Sequence, residues 1–303
     1  MAVYTLSKAG YIEEAENPAA EKRLQMMAGE FCGNASLSLA AWLAQKKNLQ
    51  IGEKTEITLE VSGAEELVRC EMKREAEHRF LGRVAMPLPQ TIEKRAFTLD
   101  GERIELTAVV FAGITHILVP ASLWGEDAAK KAEHAARVWA KELPPVFGLL
   151  LFDEQEKSLK PLVAVEDVSL IWERGCGSGT SAVGAYLAAR EKKDVTVSLK
   201  QPGGVMRATA SYQNGAVTKI EITGSVAIVA EGYGIFIKKA QMKILRFFCY
   251  VRGKPCKISI FPAFFLADSL TERRDFLYTL PIRTAKRSEI LWLQIFRESV
   301  CVW

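Results

Sequence analysis

The sequence has no apolar run long enough to cross a membrane, and its N-terminus shows no leader of a charged stretch followed by an apolar one. We therefore expect no membrane helix and no secretory signal, and hence a cytoplasmic protein without a membrane partner. With 303 residues, 49% of them hydrophobic and 25% charged, the chain is long enough to bury a substantial core.

The cysteines lack two arrangements that would explain them. None of the six belongs to a C-x-x-C pair, and they lie far apart in the chain. This argues against a zinc site and against a disulfide scaffold, so we expect no metal. An isolated cysteine is most often a small buried hydrophobe. The six are Cys32, Cys70, Cys176, Cys249, Cys256 and Cys301.

The C-terminal part of the chain is poor in glycine and differs in charge from the rest. Residues 238–303 contain one glycine and 13 basic against 5 acidic residues, whereas residues 1–237 contain 20 glycines and 27 basic against 31 acidic residues. Its basic charges are scattered among large apolar residues, including those of 261–266, and form no solvated run. We expect no nucleic-acid partner and interpret this part as an appended tail.

What the sequence does contain is a repeated stretch. Residues 32–44 and 176–188 align without a gap; the cysteine, the glycine after it, one leucine and two alanines are identical, and Ser36 is matched by Thr180. Each stretch is apolar on most faces of a helix, which is typical of a buried helix. Each is followed by a charged spacer and an alternating strand. The match predicts two related halves, each with a cysteine at the start of a buried helix.

Cys32 and Cys176 therefore lie where a thiolate is stabilised. A helix start has the positive end of the helix dipole and N–H groups without intrahelical acceptors. Because Gly33 and Gly177 leave the backbone uncovered, these N–H groups can also hold a carboxylate. An amino acid bound there would have its Cα–H between two sulfurs, one removing a proton and the other supplying one to the opposite face. No lysine lies in a setting typical of pyridoxal phosphate, so we expect no cofactor and a carbanion stabilised by backbone dipoles.

Two motifs carry a resemblance to a known superfamily. Residues 30–34, Glu-Phe-Cys-Gly-Asn, and residues 173–180, Glu-Arg-Gly-Cys-Gly-Ser-Gly-Thr, resemble the first and second cysteine motifs of the cofactor-independent amino-acid racemases and epimerases of the diaminopimelate epimerase fold, which include the proline racemases. Residues 201–204 and 222–232 are similar to strands that close such proteins. The resemblance covers roughly residues 10–235.

The resemblance implies a small amino-acid substrate and roles for eight residues. Cys32 and Cys176 would be the two bases that invert Cα. The substrate carboxylate would be bound by Gly33, Asn34, Gly177 and Ser178, and its amino end would be contacted by Glu173 and Arg174. From the residues alone, Asn34 and Ser178 could equally cap their helices, and Glu173 with Arg174 could be a surface pair.

Three departures from the family pattern bear on the substrate. Only 31 residues precede Cys32, so an upstream substrate loop is expected to be missing. His116 follows Ile-Thr where diaminopimelate epimerases have Asn-Pro, and the tail matches nothing in the family. The pattern favours the branch that racemises single amino acids, including the histidine racemases. The alternatives are a diaminopimelate epimerase, a hydroxyproline-type dehydratase and a truncated protein that binds an amino acid without turnover; a homodimer is left open.

The fold predicted from these patterns is α+β, with two pseudo-symmetric halves that each wrap a curled, mostly antiparallel sheet around one buried central helix. The expected divisions are 1–87 for the first half, 88–222 for the second, 223–237 for strands that return to the first half, and 238–303 for the tail.

Overall fold

The computed structural model describes residues 10–228 in full and, beyond them, the backbone of the strands at 230–238, 241–249, 259–260, 278–283 and 290–295. The described residues belong to two compact units, which divide between Val226 and Ala227.

The unit that ends at Val226 contains a 14-stranded sheet and three α-helices. The helices are α1 (Gly33–Lys46), α2 (Ala128–Trp139) and α3 (Gly177–Glu191). The strands are β1 (Gly10–Glu13), β2 (Lys22–Met26), β3 (Lys54–Val61), β4 (Val68–Ala76), β5 (Arg79–Ala85), β6 (Thr91–Leu99), β7 (Glu102–Val110), β8 (Thr115–Pro120), β9 (Val146–Asp153), β10 (Ser158–Val165), β11 (Ser169–Trp172), β12 (Val195–Gln201), β13 (Gly204–Gln213) and β14 (Ala216–Ala227).

The strands follow one another in the sheet in the order β1-β2-β3-β4-β5-β14-β13-β12-β10-β9-β8-β7-β6, with β11 paired to β10. Most neighbouring strands are antiparallel, whereas β2–β3, β8–β9 and β10–β12 pair in parallel. A sheet of this size with few helices is a mostly-sheet α+β fold, so the predicted α+β class is confirmed. The two pseudo-symmetric halves, each around a central helix, stay a prediction. Asn214 and Gly215 form the turn of the hairpin that joins β13 to β14: both residues have positive φ, 53° and 83°, as a two-residue turn of type I′ requires.

Helix α1 packs against β3, β4 and β5. Its buried residues together cover more than half of the helix circumference, and they are Gly33, Ser36, Leu37, Leu39, Ala40, Ala41, Leu43 and Ala44. Strand β3 buries alternate residues, and those between them are more exposed. This alternation is the pattern of a strand with one face on the core.

Strands β8, β9 and β10 are buried on both faces. Ile117 and Leu149 belong to a core cluster that contains Trp139 of α2. The alternate residues of β8 lie on the other face, where α3 contacts this strand. The two helices explain why residues 147–152 of β9 are buried without interruption, a pattern typical of strands covered on both sides.

Strand β14 connects the part of the sheet packed on α1 with the part packed on α3, because it lies between β5 and β13. Just after β5, the N–H of Met86 donates to the carbonyl of Ile220, at 2.9 Å. β14 therefore holds the two helix-bearing parts together. The divisions expected at residues 87, 222 and 237 stay predictions.

The other unit is described only as strands. β15 (Ala230–Lys238) pairs with β16 (Gln241–Cys249), and β17 (Ser259–Ile260), β18 (Tyr278–Arg283) and β19 (Ile290–Ile295) form a three-stranded antiparallel sheet. The phenylalanine-rich segment 261–266 and the chain before residue 10 lie outside the described residues, so the expected lack of an upstream loop stays a prediction. Within the described chain, no helix has both the length and the apolar character needed to span a membrane.

Candidate active site

The first turns of α1 and α3 approach each other at β14. A Cβ placed on Gly33 would lie 3.2 Å from Cδ1 of Ile222, and one placed on Gly177 would lie 3.0 Å from the same atom. The side-chain amide of Asn34 donates from Nδ2 to the carbonyl of Gly175, at 3.2 Å. The fold therefore brings the two Cys-Gly motifs of the sequence together.

Cys176 is the N-cap residue of α3 and is only 3% exposed. Its Sγ accepts the N–H of Gly179 at 3.3 Å and lies 3.4 Å from Oγ of Ser178. The same Oγ lies 2.9 Å from Nε2 of His116. A chain of polar atoms therefore runs from the buried imidazole through the hydroxyl of Ser178 to the sulfur.

The backbone of Cys176 is also fixed by polar side chains. Oε1 of Gln201 accepts the N–H of Cys176 at 2.9 Å, and Nε2 of Gln201 donates to Oγ1 of Thr180 at 2.7 Å. Thr180 in turn donates from Oγ1 to the carbonyl of Cys176, at 2.7 Å. These bonds satisfy buried polar groups on both sides of the cysteine, so its position is rigidly defined.

Cys32 has a simpler setting at the start of α1. It is the N-cap residue, is partly exposed, and its side chain makes no capping hydrogen bond. Its carbonyl accepts both the N–H and the Oγ–H of Ser36, each at 2.9 Å. The two matched cysteines therefore share a backbone position but differ in what surrounds the sulfur.

The remaining predicted site residues divide between buried and exposed positions. Since Cys32 and Cys176 are the N-cap residues, Asn34 and Ser178 lie inside the first turns and do not cap them. Oδ1 of Asn34 is buried without a hydrogen-bond partner among the described residues. Glu173 is buried at 4% exposure and Arg174 is exposed, so they do not form a pair on the surface. The substrate-binding roles of these residues stay predictions.

Sequence reasoning missed His116 and Gln201 as parts of this site. His116 is fully buried on β8, and the residue beside it on β9 is Gly148. A Cβ on Gly148 would lie 2.5 Å from Nδ1 of His116, so only glycine leaves room for the imidazole. A glycine within an otherwise apolar strand was the signal that could have revealed a neighbouring side chain of this kind.

Cys70 on β4 differs from both site cysteines. It is fully buried, and burial raises the pKa of its thiol to about 12. A thiol with such a pKa stays protonated and unreactive near neutral pH. Among the residues that the structure describes, no cluster of three or more histidine, cysteine or acidic side chains is arranged to hold a metal ion.

A groove of about 330 Å³ lies away from the cysteines. Its lining includes Lys94, Pro120, Asp153 and Tyr186, and no residue of either cysteine motif contributes to it. The lining of this groove contains no cysteine, so it lacks the thiol chemistry of the helix starts.

Solved structures define the class of fold. The chain is similar to a probable proline racemase from Agrobacterium radiobacter K84 with bound carbonate (TM-score 0.54, 18% identity, 73% of this chain and 74% of that chain). It is also similar to a hydroxyproline epimerase from Agrobacterium vitis with bound trans-4-OH-L-proline (TM-score 0.54, 15% identity, 81% of this chain and 76% of that chain). At these identities the similarity shows the fold alone, which is the fold of these racemases and epimerases.

Sequence comparison gives the family. The model described as histidine racemase CntK N-terminal domain matches residues 3–234. Histidine racemase of Fusobacterium nucleatum subsp. nucleatum is 32% identical over 215 residues, which is 70% of this chain and 78% of that protein. Histidine racemase of Staphylococcus aureus is 28% identical over 230 residues, which is 74% of this chain and 81% of that protein. The chain belongs to the histidine racemase CntK N-terminal domain family, which confirms the predicted racemase superfamily, its histidine racemase branch and the isomerase class.

Proposed function

We propose that the protein is a cofactor-independent amino-acid racemase that inverts Cα of histidine by a two-cysteine acid–base mechanism. The observation that carries the proposal is the meeting of the two Cys-Gly helix starts at Ile222. Histidine is the proposed substrate because the relatives in this family are histidine racemases.

The helix starts provide the proposed carboxylate site. In each first turn the N–H groups have no intrahelical acceptor and lie at the positive end of the helix dipole. Gly33 and Gly177 contribute no side chain of their own beside these groups. A substrate carboxylate bound there would leave Cα between Cys32 and Cys176, with Glu173 and Arg174 assigned to the amino end by the resemblance.

The contacts of the two sulfurs suggest which one is the base in the resting enzyme. The N–H of Gly179 donates to the sulfur of Cys176, and the hydroxyl of Ser178 lies 3.4 Å from it, where a donated proton would add to the stabilisation of negative charge. Cys176 would therefore rest as the thiolate and take the Cα proton of the enantiomer whose Cα–H faces it. Cys32, as the thiol, would give its proton to the opposite face.

After that step Cys176 is a thiol and Cys32 a thiolate, so the enzyme is ready to invert the other enantiomer. Negative charge on the substrate between the two proton transfers would be stabilised by the same N–H groups that hold the carboxylate. His116 would orient the hydroxyl of Ser178 toward the sulfur. Two bases on opposite faces of one carbon require two similar halves facing each other, and we infer that α1 and α3 are the central helices of such halves.

Solvent exchange at Cα tests the proposal. In D₂O, L-histidine incubated with the purified protein is expected to give D-histidine with one deuterium at Cα, followed by NMR and chiral chromatography. Cys70→Ala is the matched control, because it removes a cysteine of the same unit that has no part in the site. A panel with diaminopimelate, proline, hydroxyproline and other amino acids tests the substrate.

Absence of both exchange and inversion with every amino acid would contradict the racemase. Binding of an amino acid in calorimetry without any exchange would identify a binding protein instead. Formation of a dehydrated product would identify the dehydratase.

A further inference from the structure

Ile222 occupies a special place in the sheet. It is fully buried in β14, the strand between β5, which packs on α1, and β13, which packs on α3. A side chain at this position can therefore contact the first turns of both α1 and α3.

The Cδ1 methyl of Ile222 lies against the first residue of both helices. It is 3.2 Å from a Cβ built on Gly33 and 3.0 Å from one built on Gly177, both closer than an ordinary contact. The two glycines therefore leave space that this one methyl group fills. Each glycine directly follows a site cysteine, so the methyl group separates the two cysteine-bearing turns.

Two further contacts lie at the same place, where the first turns of α1 and α3 meet at Ile222. On the α1 side, a Cβ on Gly33 would lie 2.6 Å from Sδ of Met86. On the α3 side, a Cβ on Gly177 would lie 3.1 Å from Oδ1 of Asn34, whose Nδ2 bonds to the carbonyl before Cys176. The hydrogen bond draws the turns together, and the methyl group limits how closely they approach.

We propose that Ile222 is a positioning residue that sets the separation of Cys32 and Cys176. The inference rests on the proposed two-cysteine racemisation, in which both sulfurs must reach one Cα at the same time. Reacting atoms must lie about 3–3.5 Å apart, and a misplacement of about 1 Å can cost a hundredfold in rate. One methyl group at the contact of both turns is enough to control such a distance.

The variant that tests this is Ile222→Val, which removes Cδ1, with Ile222→Leu as a second variant that moves the terminal methyl group. Ile220→Val is the matched control: it removes one methyl group from the same strand and the same buried face, and the glycines of the helix starts do not contact it. Similar losses of stability are expected for Ile220→Val and Ile222→Val, so stability alone does not separate them.

The decisive quantity is the ratio of Cα exchange to inversion in D₂O. When the second sulfur is misplaced, the carbanion waits longer, the proton on the first sulfur exchanges with D₂O, and a deuteron is returned to the same face, so substrate gains deuterium without inversion. We expect this ratio to rise at least threefold in Ile222→Val, with kcat lowered about tenfold, and to be unchanged in Ile220→Val. Equal ratios in the wild-type protein and Ile222→Val overturn the inference.

A second measurement does not depend on activity. Bifunctional methanethiosulfonates of increasing length bridge Cys32 and Cys176, and the bridged peptide pair is identified by mass spectrometry. We expect the best-reacting length to change in Ile222→Val and to stay the same in Ile220→Val; an unchanged length overturns the inference. If the wild-type protein neither exchanges nor inverts any amino acid, the proposed function fails, and the bridging length alone decides the role of Ile222.

Discussion

The starts of α1 and α3 have the same motif in the sequence and different chemistry in the structure. At α3 the sulfur of Cys176 accepts a backbone N–H and contacts the hydroxyl of Ser178, which bonds to His116. At α1 the sulfur of Cys32 makes no capping bond and is partly exposed. A repeated motif therefore fixes where each cysteine lies on its helix but not how its charge is stabilised.

The difference follows from the layers around each helix. α1 packs on β3, β4 and β5, and α3 packs mainly on β12 and β13; in both cases the strands alternate between buried and more exposed residues. α3 also contacts β8, whose other face lies in the core cluster with α2. Polar groups buried at the start of α3 are cut off from water and must find partners within the protein. The bonds of Gln201 and Thr180 to Cys176 are such partners.

The largest expected effect comes from removing either sulfur. Cys32→Ala and Cys176→Ala should each lower the rate of histidine inversion by about 10³-fold or more, because each removes one of two acid–base groups. Cys32→Ala should still exchange Cα of the enantiomer that faces Cys176, as measured by NMR in D₂O. Inversion within tenfold of wild type in either variant would rule out the two-cysteine mechanism.

Ser36 and Thr180 are the fourth residues of α1 and α3, and their hydroxyl groups should contribute differently to the free energy of unfolding. Thr180→Val breaks bonds to Cys176 and to Gln201 and leaves a buried amide unpaired, so we expect it to lower the free energy of unfolding by about 2–3 kcal/mol. Ser36→Ala removes one bond to Cys32 and should cost about 1 kcal/mol. Chemical denaturation measures the free energy of unfolding of both variants. Equal losses would contradict the difference between the two helix starts.

Two glycines under the helices provide a further comparison. Gly148→Ala would place its Cβ 2.5 Å from the imidazole of His116 and push it away from Ser178, so we expect about a tenfold loss of kcat. Gly82→Ala would place its Cβ 2.8 Å from Leu37 of α1, where only packing is disturbed. We expect the second variant to lose stability but to keep its kcat, measured by chiral chromatography. Equal losses of kcat would show that His116 has no special role.

The smallest effect is the pH dependence contributed by Cys70. Its folded pKa of about 12 lies above its ordinary value of 9.0, so the folded thiol keeps its proton at a pH where the unfolded thiol loses it. Below pH 9 the two states do not differ; above it, this residue should lower the free energy of unfolding by up to about 1.4 kcal/mol per pH unit. Denaturation of wild type and Cys70→Ala at pH 8 and pH 10 measures the difference, and parallel curves would contradict it.

Local patterns were sufficient for much of the fold. The helix starting after Cys32 and the helix starting after Cys176 were both predicted, because each depends on residues close together in the sequence. His116 and Gln201 could not be placed at Cys176, because their positions depend on which strands lie beside α3. The parallel pairing of β8 with β9 leaves no local signal other than a glycine.

The position of β14 between β5 and β13 has a consequence for how the chain is made. During synthesis on a ribosome, β5 emerges early and keeps an open, hydrogen-bonding edge until β14 emerges much later. Such an edge can pair with other chains and is a site of aggregation. The nascent N-terminal part is therefore at risk while residues 86–227 are made, and the two cysteine-bearing helix starts can meet at Ile222 only after this residue has left the exit tunnel.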